Sequence, residues 1–176
     1  MANQNQDSEL IFRDATLSDL PEIVAIYNST IASRLVTADT EPVSVESRLP
    51  WFEAHSPTKR PLWFVEDDKN TTIGWVSFQS FYGRPAYDAT VEISIYLAES
   101  QRGKGFGKQV LQHAIDVAPD YGINTILGFI FSHNTRSICL FEDFDFEEWG
   151  HLPFVANLDG VERSLMIFGL RISDLE

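Results

Sequence analysis

The sequence predicts an α/β (α+β) protein, because segments typical of strands and segments typical of helices alternate along its 176 residues. The strand-like segments are short runs rich in β-branched and aromatic side chains, which suit a pleated and largely buried surface. The helical segments carry apolar residues three and four positions apart, so that these residues share one face of a helix. In the middle of the chain a glycine-rich loop joins a strand-like run to a helical one.

We expect seven strands and four helices in one domain over residues 9–176, preceded by a polar tail over residues 1–8. No internal repeat and no linker divides the chain. The predicted strands cover residues 11–13, 62–66, 73–81, 90–97, 125–131, 146–155 and 164–170. The predicted helices cover residues 16–31, 43–55, the stretch from the glycine-rich loop to residue 118, and 134–143.

Local signals support two of these boundaries. Thr16 and Asp19 have the spacing of a capping box, which predicts that the first helix begins there. The turn-rich segment 67–70 separates two strand-like runs, which indicates a hairpin.

The glycine-rich loop, residues 101–107, is the strongest indication of function. It has three glycines at alternate positions, Gly103, Gly105 and Gly107. Without Cβ atoms a ligand can approach the backbone, and the following helix directs unpaired N–H groups and its positive dipole end at the same place. Three basic side chains add positive charge: Arg102, Lys104 and Lys108. We expect a diphosphate-bearing ligand here; a glycine-rich turn before an ordinary helix is the alternative.

The spacing of the glycines argues against two common nucleotide-binding loops. A P-loop needs four residues between its glycines and a hydroxyl after its lysine, whereas Lys108 is followed by Gln109. A dinucleotide fingerprint needs its third glycine one residue later, at the position of Lys108.

The pattern Arg102-x-x-Gly105-x-Gly107 resembles the Arg/Gln-x-x-Gly-x-Gly/Ala loop of the Gcn5-related N-acetyltransferase (GNAT) superfamily. The resemblance implies the acyl-CoA N-acyltransferase fold, a mixed central sheet of about six or seven strands flanked by about four helices. It also implies acetyl-coenzyme A as co-substrate and no metal. The loop residues implied to bind the coenzyme are Arg102, Gly103, Lys104, Gly105, Phe106, Gly107 and Lys108.

A carboxylate, Glu92, interrupts the apolar strand before the loop. Burial of a carboxylate is costly unless the group is paired with a cation or has a catalytic role. Burial also raises its pKa toward the range useful for a general base. The run 90–97 resembles a strand of the phosphinothricin and methionine sulfoximine acetyltransferases, in which the glutamate is the proposed base. The same resemblance implies that Ile95, Tyr96 and Leu97 contact the coenzyme, with a backbone N–H near Leu97 stabilising the oxyanion. A structural ion pair, or an outward-facing side chain, is the alternative for Glu92.

Residues 134–141 resemble the start of the fourth GNAT helix, which implies that Asn134 and Ser137 contact the coenzyme. Asn134 is equally well explained as an N-cap.

Two residues depart from the family pattern. Phe141 stands where relatives commonly carry a histidine or tyrosine that can protonate the departing thiolate. The absence of this proton donor should slow the reaction without abolishing it. Asp145 replaces a glycine, although aspartate tolerates left-handed backbone geometry.

The acceptor side is indicated by residues 81–87, which resemble a segment of the phosphinothricin-type enzymes. Arg84 suits bidentate pairing with an α-carboxylate, although a solvated loop charge explains it equally well. Tyr27 resembles a family residue lining the acceptor pocket, and its helical spacing also fits a core position. By the same resemblance we expect substrate contacts from Tyr87 and Thr90.

The composition excludes several other classes. The 44% of hydrophobic residues can supply one large core. A formal net charge of −13, without a run of lysine or arginine, argues against a nucleic-acid partner. We expect a cytoplasmic protein without a membrane partner, because no run of about 18 apolar residues and no signal-like segment occurs. Cys139 is expected to be a small core residue, and His133 and His151 to be structural or surface residues.

The leading hypothesis is an acetyl-coenzyme A dependent N-acetyltransferase acting on a small amino-acid-like amine of the phosphinothricin, methionine sulfoximine or methionine sulfone type. The resemblance implies a homodimer. One alternative is a coenzyme-binding sensor or interaction module with little turnover, for which Phe141 is the supporting feature. Another is a GNAT acting on polyamines or protein N-termini, against which Arg84 argues.

Overall fold

A seven-stranded sheet with strand order β1-β2-β3-β4-β5-β7-β6 runs through the computed structural model, which describes residues 9–172. The strands are β1 (Leu10–Asp14), β2 (Leu62–Asp67), β3 (Thr72–Ser80), β4 (Thr90–Leu97), β5 (Thr125–Phe131), β6 (Glu147–Leu158) and β7 (Val161–Arg171). Among the strands of residues 9–172, only the β4 and β5 pair is parallel. The predicted tail, residues 1–8, and residues 173–176 of the predicted domain lie outside the described residues.

In the described part of the chain, four α-helices cover the two faces of the sheet, as the fold-class prediction required. They are α1 (Leu20–Ile31), α2 (Val45–Glu53), α3 (Phe106–Val117) and α4 (Thr135–Glu142). The apolar side of α1 packs with Phe64 and Trp75 on one face, and α2 adds partly buried side chains there. The apolar sides of α3 and α4 pack in a larger cluster that includes Val65 and Val76 on the opposite face.

Polar side chains determine two of the chain reversals. The Asp19 carboxylate accepts the Thr16 N–H at 2.7 Å, as the capping-box spacing predicted. The residues that follow Thr16 form a short 3-10 turn, however, so that α1 begins only at Leu20. Between β2 and β3, one Asp67 carboxylate oxygen accepts the N–H groups of Lys69 and Thr71 at 2.9 and 2.7 Å, which closes the predicted hairpin.

β4 and β5 separate halfway along their length. Their parallel pairing runs from Thr90 with Thr125 to Glu92 with Leu127 and then ends. Beyond this point β4 continues beside β3, and β5 continues beside β7. The separation therefore exposes one main-chain edge of β4 just past Glu92.

The prediction that Cys139 is a core residue is wrong, because its side chain is exposed. The inward face of α4 is formed by Ile138 and Phe141, and Cys139 lies between them in sequence on the outer side. None of the helices within residues 9–172 has the length and apolar character that a membrane crossing requires.

Candidate active site

A cavity of about 190 Å³ lies on the face of the sheet that α1 and α2 cover. β3 and β4 form its base because alternate residues of each strand point to this face. The cavity is lined by Ile23, Val24, Tyr27, Arg48, Trp51, Trp75, Gln79, Glu92, Ser94 and Tyr96. It combines apolar and aromatic walls with few charged groups, the usual character of a small-molecule site.

Glu92 is the carboxylate in this cavity. Burial raises the pKa of its side chain above the ordinary glutamate value of 4.5. Within residues 9–172 no basic side chain forms a salt bridge with it, so the ion-pair alternative is not what the structure shows. A half-buried carboxylate that faces a cavity without a cationic partner can accept a proton from a bound molecule.

Three aromatic rings form one wall of the cavity. The Tyr96 ring stacks on Trp75 with centroids 4.5 Å apart, and the Tyr27 ring lies 5.1 Å from that of Tyr96. The Trp75 indole N–H donates to the Ile23 carbonyl at 3.1 Å, which fixes this wall against α1. Burial raises the pKa of both tyrosines, so both are protonated at neutral pH. Tyr96 lines the same cavity as Glu92, although the family resemblance grouped it with the coenzyme residues.

Arg48 of α2 is a lining residue that the sequence reasoning missed. Its Nη2 donates to the Asp39 carboxylate at 2.8 Å, and its guanidinium lies 4.5 Å from the centroid of the Tyr27 ring. The available signal was its position three residues before Trp51, which puts both side chains on one face of α2.

The glycine-rich loop turns by means of left-handed backbone conformations. Gly103 has φ +77° and Gly105 has φ +89°, values at which a Cβ atom is strained. Gly105 is the residue before α3, and its carbonyl accepts the Lys108 N–H at 3.1 Å. The earlier N–H groups of this first turn have no intrahelical acceptor and are therefore available to an anionic ligand.

Each of the three predicted cations near the loop has a partner. Lys104 donates to the Gln101 carboxamide at 3.1 Å, and Lys108 pairs with Asp143 of the neighbouring α4 region at 2.6 Å. Arg102 donates from Nη2 to the Ser29 hydroxyl at 2.6 Å. These side chains thus connect the loop to α1 and to the end of α4.

The free edge of β4 places main-chain groups next to the loop. The Ala98 N–H donates to the Ile73 carbonyl at 2.9 Å, toward β3. Since successive strand residues direct their main-chain groups to opposite edges, those of Ile95 and Leu97 point toward the separation from β5. The Leu97 carbonyl there accepts Arg102 Nε at 3.1 Å.

Asn134 and Ser137 lie at the first turn of α4. The Asn134 carboxamide oxygen accepts the Ser137 N–H at 3.2 Å, which is the N-cap role that the sequence allowed. Its Nδ2 donates to the Leu35 carbonyl, also at 3.2 Å. Both polar ends of this buried side chain are thus used within the protein.

The other predicted substrate residues lie away from the Glu92 cavity. Arg84 lines a second cavity of about 430 Å³, together with Arg60 and Asp88. Tyr87 is exposed, and its ring packs near Phe81 with centroids 5.4 Å apart. Thr90 is on β4 two residues before Glu92 but does not line the cavity in the described part of the chain. Of the four predicted substrate residues, the structure therefore groups only Tyr27 with Glu92.

Sequence comparison relates the chain to known acetyltransferases. Residues 9–147 match the family model described as an acetyltransferase (GNAT) domain. The chain is 50% identical over 164 residues to YwnH of Bacillus subtilis (strain 168), provisionally named a phosphinothricin acetyltransferase, with 93% of this chain and 100% of that protein covered. It is 34% identical over 148 residues to an L-methionine sulfoximine/L-methionine sulfone acetyltransferase of Pseudomonas paraeruginosa (strain DSM 24068 / PA7), with 84% and 86% covered.

Structural comparison agrees with the sequence matches. The crystal structure of a protein provisionally named a phosphinothricin N-acetyltransferase superposes with a TM-score of 0.91 at 50% identity, covering 94% of this chain and 100% of that one. YncA from Salmonella typhimurium, provisionally named an acetyltransferase and solved with acetyl-coenzyme A, gives a TM-score of 0.84 at 26% identity, covering 94% and 95%.

Proposed function

Because this chain belongs to the GNAT acetyltransferase family, we propose that it transfers the acetyl group of acetyl-coenzyme A to a small amino-acid-like amine. Phosphinothricin, methionine sulfoximine and methionine sulfone are the acceptor types that the names of its relatives support. The observation that carries the proposal is Glu92, a half-buried carboxylate without an ion-pair partner in the described residues, facing a small cavity beside the separation of β4 and β5.

The residues around the separation provide the coenzyme side of the reaction. Main-chain N–H groups of the loop 103–107 and the dipole of α3 bind the diphosphate, with Lys104 and Lys108 adding charge. The free edge of β4 at Ile95 and Leu97 binds the pantetheine arm and donates an N–H to the oxyanion that forms at the thioester carbonyl.

The cavity provides the acceptor side. Glu92 takes the proton from the acceptor amine, directly or through one water, so that a neutral nitrogen attacks the thioester carbon. The carbon–nitrogen bond forms, the nitrogen releases its surplus proton to solvent, and the carbon–sulfur bond breaks. Phe141 cannot protonate the departing thiolate, which leaves readily because a thiol has a pKa of about 8.5 and takes its proton from solvent.

The proposal is tested by measuring thiol release from acetyl-coenzyme A across an amine panel. The panel contains phosphinothricin, methionine sulfone, methionine sulfoximine, spermidine and a short peptide with a free N-terminus. We expect saturable release with the three amino-acid analogues. Preference for spermidine or the peptide would assign the enzyme to the polyamine or protein N-terminus class. Coenzyme binding by calorimetry without thiol release from any amine would support the sensor alternative.

We also propose that the enzyme is a cytoplasmic homodimer formed by a single domain over residues 9–176. One sheet includes both the first and the last described strand, which supports a single domain. The edge strand β6 and the first residue of β7 expose several large apolar side chains, which supports a contact between copies. They are Trp149, Leu152, Phe154, Val155 and Val161. Light scattering of the wild type and of Phe154→Asp measures whether this face holds two copies together.

A further inference from the structure

We infer that Arg48 binds the carboxylate of the acceptor, which makes the substrate class α-amino acids and their analogues rather than simple amines. This inference rests on the proposed acetyl transfer and adds the group that selects the acceptor. Arg48 lines the same cavity as Glu92, and within residues 9–172 it is the one basic side chain that does so.

Arg48 is held in place before any ligand binds. The Asp39 carboxylate accepts its Nη2 at 2.8 Å, and the Tyr27 ring lies against its guanidinium. The Tyr27 hydroxyl in turn donates to Asp39 and is hydrogen-bonded to Thr37. Since a guanidinium has five N–H donors, and Arg48 uses one of them within residues 9–172, its remaining donors are available for a bidentate carboxylate.

The two charged groups of the cavity match the two charged groups of an α-amino acid. Glu92 and Arg48 both line the cavity, together with the ring of Tyr96. An α-amino acid carries its amine and its carboxylate on a single carbon. With the carboxylate on Arg48, the amine is held on the Glu92 side of the cavity, where its proton is removed.

The net charge of the protein gives a cation in the cavity a role in attracting an acidic acceptor. A formal charge of −13 opposes the approach of any carboxylate, and Glu92 adds a negative charge inside the cavity. Simple amines need no compensating cation. The half-buried position of Arg48 and its fixed guanidinium are therefore explained by an acidic acceptor.

Arg84, the arginine that the sequence suggested for this role, has different surroundings. It lines the second cavity with Lys59, Arg60 and Asp88. Lys59 pairs with Asp88 at 2.9 Å, and the buried Arg60 donates to the Asp88 carbonyl at 2.7 Å. Among the described residues, none lines both this cavity and the Glu92 cavity.

The test compares two acceptors that differ only in the carboxylate: methionine sulfone and 3-(methylsulfonyl)propylamine. We expect wild type to acetylate methionine sulfone with the higher kcat/KM. Arg48→Gln should lower kcat/KM for methionine sulfone by about 10- to 100-fold, mainly through KM, and change that for the amine by less than about threefold. Arg48→Lys should restore part of the loss, because lysine keeps the charge but not the bidentate geometry.

Arg84→Gln is the matched control and should change kcat/KM for both acceptors by less than about threefold. An equal loss for both acceptors in Arg48→Gln, or a carboxylate-selective loss in Arg84→Gln, overturns the inference and leaves acetyl transfer intact. A wild type that does not prefer the carboxylate overturns it as well. If wild type releases no thiol with any amine, the proposed function itself fails. Coenzyme binding by Arg48→Gln, measured by calorimetry, shows that the variant is folded.

Discussion

The ring of Phe141 lies against the backbone of Gly128, so that a Cβ atom added to Gly128 would lie 3.0 Å or less from three ring atoms. Phe141 comes from α4 and Gly128 from β5. The ring also packs against Phe146 with centroids 4.7 Å apart. The residue that replaces the expected proton donor is therefore a buried packing residue that joins α4 to the sheet.

Replacing Gly128 with alanine should destabilise the protein. The new methyl group must displace the Phe141 ring, and overpacking of this kind costs about 1–3 kcal/mol. The free energy of unfolding from chemical denaturation measures the effect. Gly150→Ala is the control, because its Cβ would lie 3.4 Å from Ile167 Cδ1, an ordinary contact, and its effect should stay within about 0.5 kcal/mol. Equal losses in both variants would show that strand glycines matter here for another reason.

Replacing Glu92 with glutamine should lower kcat by about 10²- to 10⁴-fold, because glutamine cannot accept the proton of the amine. Coenzyme affinity should not change, since the loop and the edge of β4 are untouched. In wild type the rate should fall with decreasing pH around a pKa above the ordinary 4.5, because burial raises the pKa of Glu92. Steady-state rates between pH 5 and 9 test this. If Glu92→Gln keeps the full rate, or still loses activity with decreasing pH as wild type does, Glu92 is not the base.

The same substitution should stabilise the protein at neutral pH. A carboxyl group whose pKa is raised on folding favours the folded state only below its unfolded pKa, and this contribution is lost as pH rises through the folded value. Glutamine stays neutral and avoids that loss. The Tm of Glu92→Gln should therefore exceed that of wild type at pH 7, and the difference should disappear near pH 4. A lower Tm at pH 7 would show that Glu92 makes a favourable contact.

Much of the fold was predictable because its signals are local. The run that forms β5 is rich in β-branched residues, and the run that forms α4 has apolar residues at helical spacing. The structure places both elements within about one residue of the predicted bounds. The start of α1 was less accurate, since the hydrogen bonds between Thr16 and Asp19 are compatible with a 3-10 turn as well as a helix.

The acceptor site was less predictable because it is assembled from distant segments. Glu92 stood out because it interrupts an apolar strand. Arg48 did not, because an arginine on an amphipathic helix is ordinarily exposed, and only packing against Tyr27 and Asp39 brings it into the cavity. Arg84 was predicted to bind the acceptor carboxylate because of the residues around it in the sequence. Those residues do not indicate which cavity a loop side chain lines.

The ion pair between Lys108 and Asp143 should weaken coenzyme binding, because Asp143 neutralises a cation beside the loop. Asp143→Asn should therefore tighten binding of coenzyme A by about two- to fivefold at low ionic strength, with a smaller gain at high salt. Calorimetric titrations at two salt concentrations measure this. Asp116→Asn, an exposed change of equal charge on α3, is the control. An equal gain in the control would assign the effect to net charge alone.

Asp145 should be replaceable by glycine with a gain in stability. It has φ +61°, a left-handed conformation in which a Cβ atom is strained, at the turn between α4 and β6. Glycine removes that strain, and its greater freedom in the unfolded chain offsets part of the gain, so we expect about 0.5–1 kcal/mol. Glu142→Gly, three residues earlier in the last turn of α4, should instead cost about 0.5–1 kcal/mol. Chemical denaturation of both variants compares the two effects. If both variants lose stability, the Asp145 side chain makes a contribution that exceeds its backbone strain.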